Sequence, residues 1–162
     1  MAGAALLCPV VIANRSDRDL PAHRVLQEQA HVLDGVPTEL AEKFRSVAVV
    51  VDAAKWEQFA SVVGPAAVAA DPATIERIQA ADEFTDDVDG VGAPIKGPSL
   101  IVVGRQDSIV GFRDALRLLD RFPRSTFAVL DVAGHLLVSE RPGVLATLVG
   151  DWLDRMGSQA HD

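Results

Sequence analysis

Pro98-Ser99-Leu100-Ile101-Val102-Val103-Gly104-Arg105-Gln106-Asp107 is the stretch whose reading decides the fold. Its apolar residues run on without alternating with polar ones, which suits a parallel strand covered on both faces, and Gly104 ends the run. Downstream, Ala115, Leu118, Leu119 and Phe122 keep helical spacing until Pro123 stops it. Thr126–Leu130 reads as the next strand. Pro142 opens a closing helix with Val144, Leu148, Trp152 and Met156 in register, Leu145, Val149 and Leu153 beside them, and Gly157 suited to its C-terminal cap. Upstream, Ala4–Ile12 is a second continuous apolar run. Pro9 lies inside it, cannot donate to a ladder, and predicts an early end or a bend.

Between these strands the texture changes. Leu20 to about Ala81 is helical in character, with one helix starting near Thr38. Asp52 is placed to cap another whose apolar face is Trp56, Phe59 and Val63, and Gly64-Pro65 is expected to stop it. Asp71-Pro72 opens a third, with Ile75 and Ile78 expected inward. Asp82–Asp89 is acidic and leads into Gly90, Gly92, Pro94 and Gly97, the composition of a linker. Strand, helical insert, strand, helix, strand, helix is the order of an α/β fold with a parallel sheet, here of three strands. The expected division is 1–13 and 93–157 as a partial core, 14–92 as helical insert and acidic linker, and 158–162 as a tail.

Composition narrows the function classes. Hydrophobic residues make up 49% of the 162, which is not the balance of a disordered chain. The formal charge is −8 with no basic stripe, so nucleic acid and anionic membrane surfaces are poor partners. Met1–Ala13 is nearly all apolar, but no Lys or Arg precedes Arg15, as a secretory signal requires, and the run is too short to span a bilayer. The expected location is the cytoplasm. Cys8, the lone cysteine, reads as a small buried side chain rather than a reactive or metal-binding one. His23 and His31 have no ligand cluster of metal spacing around them, His161 falls in the tail, and no glycine-rich phosphate loop is present. Neither a metal nor an organic cofactor is implied.

Functional groups in such sheets gather in loops at the carboxyl ends of the strands. Two loops stand out: Gly104-Arg105-Gln106-Asp107, and Asp131-Val132-Ala133-Gly134-His135. Both open from the same edge of the sheet, so Asp107 and His135 are placed to meet. An aspartate facing a histidine fixes one imidazole tautomer and stabilises the imidazolium, which prepares a base for a serine hydroxyl or a water. By spacing alone the blander account outweighs this one: Asp107 caps the next helix and His135 is a partly buried loop residue. Asp17 and Asp19, after the first strand, are second candidates for the acid. Trp56 and Phe59 read as helix core.

The strand with its G-x-x-D loop, the later Ala133-Gly134-His135, and a closing helix ending in Asp151-Trp152-Leu153 together resemble the C-terminal part of the α/β-hydrolase family. The resemblance implies that Asp107 is the triad acid and His135 the triad base, in that family's order of Ser, Asp or Glu, then His. It also implies that Ala5–Ile12 is the strand following the nucleophile's helix, that the helical insert is a cap, and that the substrate is a small ester-like acyl compound. The family's G-x-S-x-G elbow is absent: no serine of the chain has glycines two positions away on both sides. The sequence thus leads one to expect an incomplete or inactive hydrolase: a truncated product, a product of a misplaced start codon, or one half of a split protein. Its open sheet edge would invite self-association or a complementing chain. The rival expectation is a non-catalytic α/β remnant that binds a partner through that edge.

Overall fold

The computed structural model describes residues 3–80 and 93–158. The main sheet has three parallel strands, β1 (Ala4–Leu7), β4 (Ser99–Gly104) and β5 (Ser125–Leu130), in the spatial order β1-β4-β5. Leu7 lies opposite Val102, and Gly104 opposite Leu130. The central strand β4 is buried along its whole length, as its unbroken apolar run requires. β1 is shorter than the apolar run that predicts it. It ends at Leu7, and Cys8 still donates its N–H to Val102 O (2.9 Å) but sits at φ +44° directly before Pro9. The missing N–H of the proline ends the ladder there.

The closing helix is α6 (Pro142–Ser158). Its inward face is Leu145, Leu148, Val149 and Trp152, packed with Leu100, Val102, Leu130 and Leu137; Val144 and Leu153 of the expected stripe face solvent instead. Trp152 donates its indole N–H to Pro98 O (3.0 Å), and Arg155 donates to Ser99 O (3.1 Å), fixing α6 against the start of β4. The helix expected at 115–122 is a 3-10 turn, Asp114–Arg117, running into one turn of α4 (Leu118–Arg121).

The segment between β1 and β4 holds α1 (Thr38–Arg45), α2 (Ala53–Ala69) and α3 (Pro72–Gln79). Asp52 caps α2 by accepting from Lys55 N–H at 2.9 Å. Three expectations are corrected here. The helix passes through Gly64-Pro65 and ends at Ala69. The proline loses one helical hydrogen bond, and the alanine-rich sequence after it propagates well enough to carry on. Ile75 and Ile78 of α3 are 43% and 61% exposed rather than inward, since spacing shows that two residues share a face but not what covers it. Leu20–Ala81 is not all helix either. β2 (Gln27–Glu28) pairs in parallel with β3 (Val50–Val51) as a second small sheet. This segment has a core of its own, in which the rings of Phe44, Trp56 and Phe59 pack together edge-on and tilted, with Ala48 and Val51. The acidic stretch Asp82–Asp89 and His161 lie outside the described residues. Among the described residues no helix is long and apolar enough to cross a membrane.

Candidate functional site

The loops after β4 and β5 cross at close range because a glycine stands where they touch. A Cβ on Gly104 would lie 2.5 Å from Ala133 O and 2.6 Å from Gly134 O, so any side chain there forces the loops apart. Gln106 then ties them together. Its N–H donates to Ala133 O (2.9 Å), its side-chain oxygen accepts from Ala133 N–H (3.1 Å), and its amide nitrogen donates to Asp131 (2.8 Å). Arg15 and Arg18, in the segment after β1, donate to Ile109 O at 3.2 and 3.1 Å and hold the far side of the acid's loop.

This frame brings Asp107 and His135 together, with the Asp107 Oδ2 to His135 Nδ1 distance at 3.1 Å. The carboxylate is 0% exposed and the imidazole 38%. The other oxygen, Oδ1, accepts from the N–H groups of Ile109 (2.9 Å) and Val110 (3.0 Å). Burial pushes the Asp107 carboxyl up, but the hydrogen bonds from His135 and from the Val110 and Ile109 N–H groups more than offset it, and the group is held below the ordinary carboxylate range. In a neutral ring, an ionised Asp107 favours the tautomer with its proton on Nδ1 and the lone pair on Nε2. The other candidate acids are engaged elsewhere on the surface: Asp17 accepts from Ser16 Oγ, and Asp19 accepts from Arg113. His23 bonds to Arg45 O and His31 to Asp34.

His135 lines a cleft of about 240 Å³. The remaining wall comes from Gln58, Phe59, Val62 and Val63 of α2 and from Leu136, Val138 and Ser139 beside the histidine, and is mostly apolar. Phe59 thus serves both the segment's core and the wall of the cleft.

The sequence reading misses Glu140 altogether, and for Cys8 it gives the burial but not the place beside Asp107 and His135. Glu140, at the end of α5 (Leu137–Glu140), is a buried carboxylate. Its Oε1 accepts from the N–H groups of Val49 (2.6 Å) and Val50 (3.2 Å), and its Oε2 accepts from Gly134 N–H (2.6 Å). One side chain therefore fastens the entry to β3 and the histidine's loop to the same point. Gly134 allows the close approach, since a Cβ there would meet Val49 Cγ2 at 2.8 Å. The sequence signal was slight: one acid five residues after the histidine. The Sγ of Cys8 lies 3.7 Å from Gly134 O, and burial together with the charge of Asp107 pushes the thiol up to about 12. The strand-like neighbourhood expected for Cys8 is correct as far as Leu7, but the side chain beyond it turns towards Asp107 and His135.

The backbone fold recurs in a solved structure, that of an alpha/beta superfamily hydrolase from Oenococcus oeni PSU-1, with a TM-score of 0.81 at 24% identity over 96% of this chain. The fold is that of an α/β hydrolase. The chain spans 58% of the length of that structure. Looser likenesses are to an esterase from Thermogutta terrifontis (TM-score 0.45, 19% identity, 96% of this chain and 56% of that one) and to a serine hydrolase from Cycloclasticus zankles (0.37, 25%, 48% and 26%). No family model and no curated protein matches the chain. In the α/β-hydrolase fold seen here, the three strands and the two loops bearing Asp107 and His135 stand in the order that the sequence leads one to expect.

Proposed function

We propose that the chain supplies the acid and the base of a Ser-His-Asp triad, for hydrolysis of small ester-like acyl substrates. The observation that carries this reading is the buried, ionised Asp107 held by two backbone N–H groups and facing the Nδ1 of a part-exposed His135. Asp107 orients the ring, and His135 takes the proton of a serine hydroxyl through Nε2 and returns it to the leaving group. The serine and the oxyanion-hole donors come from residues outside this sequence, which has no G-x-S-x-G elbow. The described part of the insert, 14–80, acts as the cap, and α2 walls the acyl pocket with Phe59, Val62 and Val63.

The apolar cleft beside the histidine supports a substrate with an uncharged acyl part. The edge of β1, where Leu7 is 40% and Val10 49% exposed, supports a further strand as the neighbour that completes the site. A non-catalytic domain using that edge to bind a partner is the second reading, favoured by the same exposure. Mass spectrometry of the native protein, followed by assay of p-nitrophenyl acetate hydrolysis, decides between them. A native product that carries a serine elbow and loses activity on His135→Ala supports the triad. Hydrolysis that survives both His135→Ala and Asp107→Asn overturns it.

A further inference from the structure

The loop after each of the three main strands contributes one side chain to a single point: Cys8 after β1, Asp107 after β4 and His135 after β5. One ligand atom from each, a sulfur, a carboxylate oxygen and a ring nitrogen, lies within 4.8 Å of the other two. The triad chemistry proposed above uses the second and third and has no task for the first. We infer that Cys8, Asp107 and His135 form a binding site for a thiophilic divalent cation of the zinc class.

The donor set suits that ion. Zinc takes sulfur, nitrogen and oxygen ligands, and three protein ligands with a water as the fourth are a common complement. A separation of 3.1 Å between Asp107 Oδ2 and His135 Nδ1 is one that two bonds of about 2.0–2.2 Å span at an angle a little under tetrahedral, which leaves a closure of order 1 Å for the thiol. Asp107 is already anchored through Oδ1 by two backbone N–H groups, so Oδ2 is presented without further ordering. Charge is favourable as well: the cluster carries the single charge of Asp107 when empty, and with the cation bound the thiolate and the carboxylate neutralise it, so no net charge is left buried. The part-exposed His135 provides the way in from solvent.

The proton count follows from the geometry. The cation replaces the proton shared by Asp107 and His135, and the ring proton moves from Nδ1 to Nε2. The thiol proton goes to solvent, so one proton leaves per cation bound. A ring protonated on Nε2 has no lone pair left for a serine, so an occupied site silences the base. That consequence rests on the triad reading; the site itself does not.

The test is titration of this chain with Co²⁺ and with Zn²⁺ at neutral pH. Expected are one cation bound per chain, one proton released, and a sulfur-to-cobalt charge-transfer band in the near ultraviolet. Cys8→Ser abolishes the band, and His135→Ala weakens binding by about tenfold or more, given that even outer partners of metal ligands are worth that much. Far-ultraviolet circular dichroism checks that each variant is folded, and His135→Ala, at an exposed position, serves if Cys8→Ser is not. Absence of the band in the unaltered chain overturns the inference, as does binding that both substitutions leave unchanged, which would place the ion on surface carboxylates. Neither result involves catalysis, so failure here leaves the hydrolase reading standing.

Discussion

At the scale of single residues, the site is governed by two buried acids of opposite tendency. Asp107 has a folded-state value below its ordinary 3.8, so the charged form is favoured in the native protein. It stabilises the fold fully above about pH 4, and that contribution is lost as pH falls through the lowered value. Urea midpoints measured down the acid range are therefore expected to fall less steeply in Asp107→Asn than in the unaltered protein; parallel acid limbs would contradict this account. In the completed triad the same substitution is expected to lower kcat by about 10⁴, since an asparagine holds the wrong tautomer. Cys8 is the reverse case. Its thiol is raised from 9.0 to about 12, so the neutral form is favoured in the native state. Stability is intact below about pH 9 and declines between there and pH 12 as the unfolded thiol ionises and the folded one does not. Iodoacetamide at pH 8 should leave Cys8 unmodified in the native protein and react with it once urea unfolds the chain, with mass spectrometry as the readout.

Among the elements, those whose residues state their environment were legible. β4 was plain from Leu100–Val103, because a mostly β-branched apolar run bounded by Pro98 and Gly104 suits a strand covered on both faces, and the G-x-x-D and G-H loops followed from the strand ends. α2 could be placed from Asp52 and the Trp56–Phe59–Val63 spacing. What stayed hidden was pairwise. β2 and β3 are two residues each, too short to show a period, and exist because their backbones meet. The place of Cys8 depends on the register of Leu7 against Val102, which nothing in the run Ala4–Ile12 announces. Glu140 could not be found because its partners, Val49, Val50 and Gly134, offer only backbone N–H groups, and those leave no mark in sequence. Its weight is open to direct test. Glu140→Ala strands three buried donors, each costing about 1–3 kcal/mol, so a loss of at least about 3 kcal/mol in urea unfolding is expected. Glu140→Gln keeps the shape and an acceptor oxygen and should lose less. Equal stability of Glu140→Ala and the unaltered chain would remove the clamp from the account.

Over the whole molecule there are two hydrophobic cores, one packing α6 against the main sheet and one within the segment between β1 and β4, and the cleft beside the histidine is walled by Phe59, Val63 and Leu136 of the second. The main sheet is closed at neither edge among the described residues, and its two edges differ. β5 shows part-buried residues along its length, whereas β1 alternates part-buried with exposed ones and continues into an exposed Val10. A parallel strand edge with apolar side chains standing beside it is a template for another strand. Sedimentation velocity across a range of concentrations is therefore expected to show reversible association of this chain. Leu7→Lys should shift the distribution towards monomer, because a lysine on the edge must be desolvated before a second strand can pair. At 40% exposure Leu7 gives up little packing when replaced, so a native far-ultraviolet spectrum should accompany the shift. Association that Leu7→Lys leaves untouched would move the contact to another surface, the exposed Ile75–Ile78 face of α3 being the next to examine.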